Sequence, residues 1–486
     1  MALSILYLDK NNSRTKPLSD RMLYRLSLDR SFSHICIDSN YRNTFFSVVS
    51  NLTDNPEEAL YRQEIIKDFQ RNSDLLDQLI SLSSRFEELQ LSQKSAGKDK
   101  YRLSISGTAS LTSSKNILQV QALCLKRALL FIKAYGELLS NYNLTSNGLN
   151  ALCDACKEIY SGPDFLKLLA FCTKYESFSS SGFRDFKYAL TDEGCFKEYE
   201  LIDHRYIHVT DPELKKKSFS FFKKAEETSY PCERLFPGKD DLFDNLAISA
   251  LTDLSSLFAK ISEQIFEKFG LLGRELIFYD VSLKYIRALS EKNVPMRYPV
   301  FTSDKSIKIK TLYDLYLLMS KPDPSAVIPN DFTLKSNSRG LLVFGDNGSG
   351  KTVYLRSVAT ALILSHAGLP LPCESAEITL FSQLTTQFSE AEKEFCEGND
   401  AGRFEQEVRE LSAMVDTLEE GALVFLNETF QSTAYAEGAE GLYHLLEHFS
   451  CLGIRWILVT HLRQIEKMFD DKGIYIFHTK KGYKIL

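Results

Sequence analysis

The stretch GDNGSGKT, Gly345 to Thr352, fits the pattern G-x-x-x-x-G-K-[ST] at every fixed position. It follows an apolar run, GLLVFG (340–345), and leads into VYLRSVATALILSHA, a run compatible with a helix. In that setting Gly345, Gly348 and Gly350 let the backbone curl until successive N–H groups face a chain of phosphates, and the following helix adds its positive end. Lys351 is then placed to reach the outer phosphates and the Thr352 hydroxyl to ligate Mg²⁺. A second candidate lies in ALVFLNETF (422–430), where an apolar run ends at Asn427–Glu428. A nucleotide-hydrolysing domain ordinarily closes such a strand with Asp–Glu. The Asp accepts hydrogen bonds from metal-bound water and from the loop hydroxyl, while the Glu carboxylate can orient or deprotonate an attacking water. Asn427 keeps a carbonyl acceptor but loses the negative charge, so the expectation is weaker Mg²⁺ retention and slow hydrolysis rather than loss of chemistry.

These groups need a scaffold that holds strand ends side by side. Short apolar runs, GLLVFG, ALVFLN (422–427) and RWILVTH (455–461), alternate with helix-like stretches, the trace of a parallel sheet covered by helices. The expected fold class for residues 295–486 is therefore α/β of the P-loop NTPase type, closing on a hairpin in IYIFHTKKGYKIL that turns at Lys480–Gly482. Upstream the pattern is mainly helical. Asn55–Pro56–Glu57–Glu58 supplies a cap, a proline for the first turn and two acids for the helix dipole, and apolar residues from Leu60 to Leu89 recur at three- and four-residue steps. One or two helices are expected over 56–92, a loop or short hairpin over 94–116, and further helices over 116–141, 147–160, 163–175, 240–269 and 274–290. FKYALTDEGCFKEYELIDHRYIHVTD (186–211) alternates in the manner of strands, 295–338 reads as a junction, and 1–50 as a few strands or an irregular cap. The expected division is a cap (1–50), a helical region with a β-insert at about 181–211 (51–294), and a nucleotide domain (295–486).

Bulk properties bound the partners. A chain of 486 residues, 44% apolar and 25% charged, is long enough for several buried cores, and its net charge of −6 means that nucleic acid would be met by local basic patches rather than by a global field. The ten cysteines form no dense framework, the N-terminus shows no basic region followed by a long apolar one, and no run approaches a membrane span. The expected compartment is the cytoplasm.

Further motifs make a specific resemblance. The loop places Asn347 third and continues with Tyr354–Leu355–Arg356; VIPNDFTL (327–334) precedes it; GRFEQEVREL (402–411) places Glu407 three residues after Phe404; LVFLNETFQSTAYAEG (423–438) and ILVTH (457–461) follow in order. Over 327–486 this resembles the MutS family of DNA mismatch-repair and related ATPases, and the helical half, with YRQEIIKDF (61–69), is more weakly similar to that family's lever-arm region. The resemblance implies ATP and Mg²⁺ as cofactors. It implies nucleotide held by Ile328, Asn347, Gly348, Ser349, Gly350, Lys351, Thr352 and Val353, metal by Thr352 and, through water, Asn427, and hydrolysis served by Glu428. His461 senses the terminal phosphate on that reading; the alternative is a solvent-facing histidine at a strand end. It also implies a homodimer joined through its ATPase faces, with DNA as the partner.

The departures are as informative. Where many family members carry Ser–Thr before the Phe, this chain has Gly402–Arg403, so Arg403 either contributes positive charge to the partner copy's nucleotide or is a solvated residue at a helix start. Residues 1–50 are too few for the family's mismatch-reading domain, and Phe86–Glu87–Glu88, which matches its Phe-x-Glu string, falls in a helical pattern where Phe suits a core. The expected DNA is therefore branched or otherwise structured rather than mismatched. The stretch after His461 is too short for the family's usual C-terminal helical extension, so dimerisation is expected to rest mainly on the ATPase faces. HLLEH (444–448) and the lone C-x-x-C of Cys153 and Cys156 are discounted as metal sites for want of further ligands. KKKSFSFFKK (215–224) fits either a phosphate backbone or a solvated amphipathic surface.

Overall fold

A computed structural model describes residues 4–8, 17–105, 111–176, 185–190, 196–202, 240–388, 400–431, 434–469, 473–480 and 483–485. The chain divides into two compact units. One comprises residues 1–83, 135–155 and 271–486, the other 84–134 and 156–270.

The first unit is built on a six-stranded sheet, β6 (Gly340–Phe344), β8 (Gln383–Phe388), β9 (Ala422–Asn427), β10 (Arg455–Thr460), β11 (Ile474–Lys480) and β12 (Lys484–Ile485), in the order β12-β11-β6-β10-β9-β8. All neighbours pair in parallel except β11 and β12. β6 and β9 are buried along their whole length, and β10 from its second residue on, as expected of central parallel strands covered on both faces. This agrees with the α/β expectation and with a closing hairpin; Lys481 and Gly482 in its turn lie outside the described residues. A second sheet, β3 (Val300–Phe301), β7 (Ser375–Ile378), β4 (Ile307–Leu312) and β5 (Asn330–Leu334), pairs in the order β3-β7-β4-β5 and is mixed. Its strands β3, β4 and β5 fill the stretch that reads in sequence as a junction, while β7 comes from beyond the helix Lys351–His366.

The helix Lys351–His366 has 13 of its 16 residues buried, which explains a sequence with no polar face: β9 and β10 lie against it, as do α3 (Ser39–Val49) and α4 (Pro56–Arg71). α3 corrects an expectation. Residues 20–49 hold three helices, α1 (Asp20–Arg25), α2 (Leu28–Ser33) and α3, rather than the few strands or irregular cap expected. Asp38 caps α3 by accepting from Asn40 N and Tyr41 N, and Phe45, Phe46, Val48 and Val49 are buried on it, so packing and capping override the strand bias of those residue types. α4 begins as expected, with the Asn55 side chain accepting from Glu57 N and Pro56 in its first turn.

Two other boundaries differ. α5 runs from Ser73 to Ile105, through part of the segment expected to loop, and the helices expected at 240–269 and 274–290 are one helix, Asp240–Glu291. Gly97 lies among helix-favouring Lys, Ala and Arg, and a single glycine costs only about 1 kcal/mol in a helix interior. Helices also cover Leu111–Ser140, Asn147–Ser161 and Pro163–Glu176. β1 (Asp185–Leu190) and β2 (Phe196–Ile202) form an antiparallel pair within the expected β-insert; residues 203–211 and the whole of 215–224 lie outside the described residues. Among the described residues no helix is long and apolar enough to cross a membrane.

A buried polar knot ties the N-terminal segment to the far end of the helix Lys351–His366. Arg62, fully buried on α4, donates to Leu6 O at 2.9 Å and His366 O at 3.4 Å and pairs with Glu58. Tyr279 donates to Ile5 O, and Glu275 accepts from Ile5 N at 2.7 Å. The His366 ring, with Nδ1 2.6 Å from Thr53 O, is driven down to a pKa of about 4, by burial first and by the Arg62 charge second. A histidine neutral when folded and protonated near 6.5 when unfolded stabilises the fold fully above pH 6.5 and loses that contribution as pH falls toward about 4. Replacement by His366→Asn is expected to flatten the stability profile over that window, the difference from the native protein being on the order of 3 kcal/mol. Chemical denaturation at pH 7 and pH 4.5 measures it; equal pH slopes in the two proteins would disprove it.

Candidate functional site

The strand register assembles the site. Val459 on β10 lies opposite Val343 on β6 and Asn427 on β9, and Thr460 lies opposite Phe344. Hence the residues that leave the three strands at their carboxyl ends, Gly345 onward, Glu428 and His461, emerge side by side, where open α/β sheets place ligands.

The loop after β6 curls at its glycines. Gly348 and Gly350 take positive φ, +76° and +93°. A Cβ on Gly350 would come within 3.1 Å of the Tyr483 ring, and one on Gly345 within 1.8 Å of Thr479 Oγ1, whereas nothing lies within 4 Å of the corresponding position on Gly348. The helix starting at Lys351 receives no side-chain cap, and Ser349 Oγ is buried without a hydrogen-bond partner. Uncapped N–H groups at a helix start, an orphaned hydroxyl and open space over Gly348 fit a phosphate group. Lys351, buried on the first turn, donates to Gly345 O at 2.7 Å and Asp346 O at 3.0 Å.

Thr352 Oγ1 donates to Asn427 Oδ1 at 2.9 Å, so the hydroxyl and the carbonyl expected to share a metal shell are already in contact. Glu428 is the hub: Oε1 lies 3.4 Å from Lys351 Nζ and Oε2 2.7 Å from His461 Nδ1. The Tyr435 ring stands edge-on to His461 with centroids 5.7 Å apart. His461 is thus tied to Glu428, rather than standing free at a strand end. The structure brings together Asn347 to Thr352, Asn427, Glu428 and His461. Val353 follows in the same helix, half-buried, and Ile328 is exposed in the segment whose neighbour Asn330 accepts from Ile485 N and donates to Tyr483 O. Arg403 lies in the first turn of the helix Asp400–Val415; its side chain is outside the described residues.

Residues 341–480 match the family profile described as MutS domain V. Over these residues the chain is similar to MutS-family proteins. It is 25% identical over 284 residues to the DNA mismatch repair protein MutS of Streptococcus sanguinis, covering 56% of this chain and 32% of that protein. It is 28% identical over 185 residues to the MutS of Granulibacter bethesdensis, covering 38% and 20%, and 27% identical over 283 residues to that of an Exiguobacterium species, covering 58% and 30%. The chain thus spans a third or less of the length of these curated relatives.

Sequence reading missed several parts of this MutS-like site. Thr479 and Tyr483 of the closing hairpin lie against the loop glycines, and Gln387 at the end of β8 lies under the turn after β9. No local pattern marks them, because each acts across a large sequence separation. The Gly345–Thr479 approach is testable. Gly345→Ala is expected to lower stability by about 1–3 kcal/mol through overpacking, and adding Thr479→Ala should recover part of that loss in thermal unfolding. Strictly additive losses would show that the close approach is not the cause.

Proposed function

We propose that this chain is an ATP-binding, slowly hydrolysing protein whose residues 295–486 form a P-loop ATPase domain of the MutS type. The observation that carries the reading is the contact between Thr352 Oγ1 and Asn427 Oδ1, beside a Glu428 carboxylate flanked by Lys351 and His461. Asn347 to Val353 hold the phosphates, Ile328 borders the nucleotide, and Thr352 with Asn427 hold Mg²⁺, Asn427 through water. The ion, when bound, neutralises phosphate charge. Glu428 orients or deprotonates the attacking water, and His461 fixes the Glu428 carboxylate while sensing the terminal phosphate. Nucleotide first has to draw Lys351 off the Gly345 and Asp346 carbonyls, after which its charge faces the phosphates.

In this reading two copies pair head to tail through their ATPase faces in the cytoplasm, with Arg403 turned to the partner's nucleotide. Residues 51–294, with their β-insert, act as lever and clamp, so that nucleotide state is coupled to grip on DNA, structured rather than mismatched. The DNA assignment draws on the relatives, which are DNA mismatch repair proteins. Asn427 supports one competing reading, a nucleotide-gated protein-binding scaffold with little or no hydrolysis, since it brings no charge to the metal.

ATP turnover measured alone and with single-stranded, duplex, mismatched and branched DNA separates the two. The ATPase reading expects turnover that Glu428→Gln lowers by about 100-fold or more while ATP still binds, and DNA affinity that falls steeply as salt rises. Turnover at background in the native protein would favour the scaffold. Asn427→Asp should lower the Mg²⁺ concentration for half-maximal ATP binding by about tenfold, the effect of one added charge beside a divalent ion; an unchanged requirement would remove Asn427 from the metal shell.

A further inference from the structure

Glu428 and Phe430 both adopt left-handed backbone, with φ of +53° and +61°, and only Thr429 separates them. Non-glycine residues rarely take this conformation, and two within three positions persist only where the surroundings over-determine them. The surroundings here are three buried polar side chains from three separate elements. Thr429, fully buried, donates its hydroxyl to Gln387 Oε1 at 2.6 Å. Gln387, at the end of β8, donates through Nε2 to Glu407 Oε1 at 3.2 Å. The same oxygen of Glu407, on the helix Asp400–Val415, accepts the Phe430 N–H at 2.9 Å. On the strand side, Glu428 N donates to Val459 O at 2.9 Å. A carboxylate only 9% exposed is costly to bury, and Glu407 offsets that cost by taking two donors that belong to, or lead to, the turn.

We propose that Glu407 is the positioning residue for Glu428. It holds the 428–430 turn directly at the Phe430 N–H and indirectly through Gln387 and Thr429. The left-handed turn in turn directs the Cα–Cβ bond of Glu428 so that its carboxylate lies between Lys351 and His461. The effect of Glu407 passes through the backbone of the turn, by way of the Phe430 N–H and the Gln387 side chain. The proposal rests on the hydrolytic role given to Glu428 above, but the geometry it asserts can be read without turnover.

Three variants test it. Glu407→Ala removes the acceptor, Glu407→Gln keeps an acceptor at the same reach, and Thr429→Val cuts the Gln387 link while keeping side-chain shape. The expected result is that Glu407→Ala lowers kcat about tenfold or more with the ATP dissociation constant within about twofold of native, while Glu407→Gln stays within about threefold on both. Thr429→Val should fall between them. Crystal structures of Glu407→Ala and Thr429→Val should show Glu428 leaving the left-handed region or its carboxylate moving away from His461. Native kcat in Glu407→Ala, or Glu407→Gln as slow as Glu407→Ala, overturns the proposal. If the native protein hydrolyses no ATP, the enzymatic reading fails, and the crystal structures alone decide the positioning claim. A Glu428 unmoved in both variants then refutes it, and should Glu407→Ala fail to fold, Thr429→Val decides.

Discussion

The parallel register of β6, β10 and β9 is the constraint on which the site depends. With β10 in the middle, its Val459 facing Val343 on one side and Asn427 on the other, the residues that follow each strand must meet at one edge of the sheet. A shift of one residue in either pairing would turn every side chain of the shifted strand to the opposite face and carry Asn427 away from Thr352. The register is enforced by burial. β6 and β9 are enclosed throughout and β10 from Trp456 onward, so a slip cannot be absorbed by exposing a polar face.

That edge is held from behind as well as from the sides. The helix leaving the phosphate loop is buried nearly all round, and its last residue, His366, is locked by Thr53 O and by Arg62, which also grips the N-terminal segment at Leu6. Nearer the loop, Arg356 makes two hydrogen bonds to Asp314, at 2.7 and 2.9 Å, tying the same helix to the segment between β4 and β5 of the second sheet. Residues 4–8 and 17–83 are thus part of the unit that carries the candidate site, and the helices α1 to α4 serve as its outer packing layer.

How much of this was legible in the sequence follows from how local each feature is. The phosphate loop, the strand-end Asn427–Glu428 and the Thr460–His461 step are contiguous motifs whose backbone demands are written in adjacent residues, so their elements could be assigned. The strand order could not. β9 precedes β10 in sequence, yet β10 lies beside β6, and no composition or periodicity encodes that. The helices of residues 20–49 were obscured because Phe45, Phe46, Val48 and Val49 favour strands in isolation and become helical through burial against the rest of the unit. The Gln387–Thr429–Glu407 network joins residues 20 to 42 positions apart, beyond the reach of any local pattern.

The asparagine at 427 is the sharpest case of shape kept while charge changes. Asn and Asp differ little in size, and the hydrogen bond from Thr352 to the side-chain oxygen at 2.9 Å is one that either could accept. The substitution therefore leaves the architecture of the cradle intact and alters only its electrostatics. In a site where Lys351 and Glu428 already oppose each other at 3.4 Å, removing one further negative charge leaves Glu428 as the carboxylate beside the phosphate loop among the described residues at the ends of β9 and β10. On the function proposed above, an asparagine there would attract a divalent cation less, and repel an incoming triphosphate less, than an aspartate. Those two effects would act in opposite directions on metal and on nucleotide, so that in the proposed ATPase nucleotide affinity and metal dependence are separable.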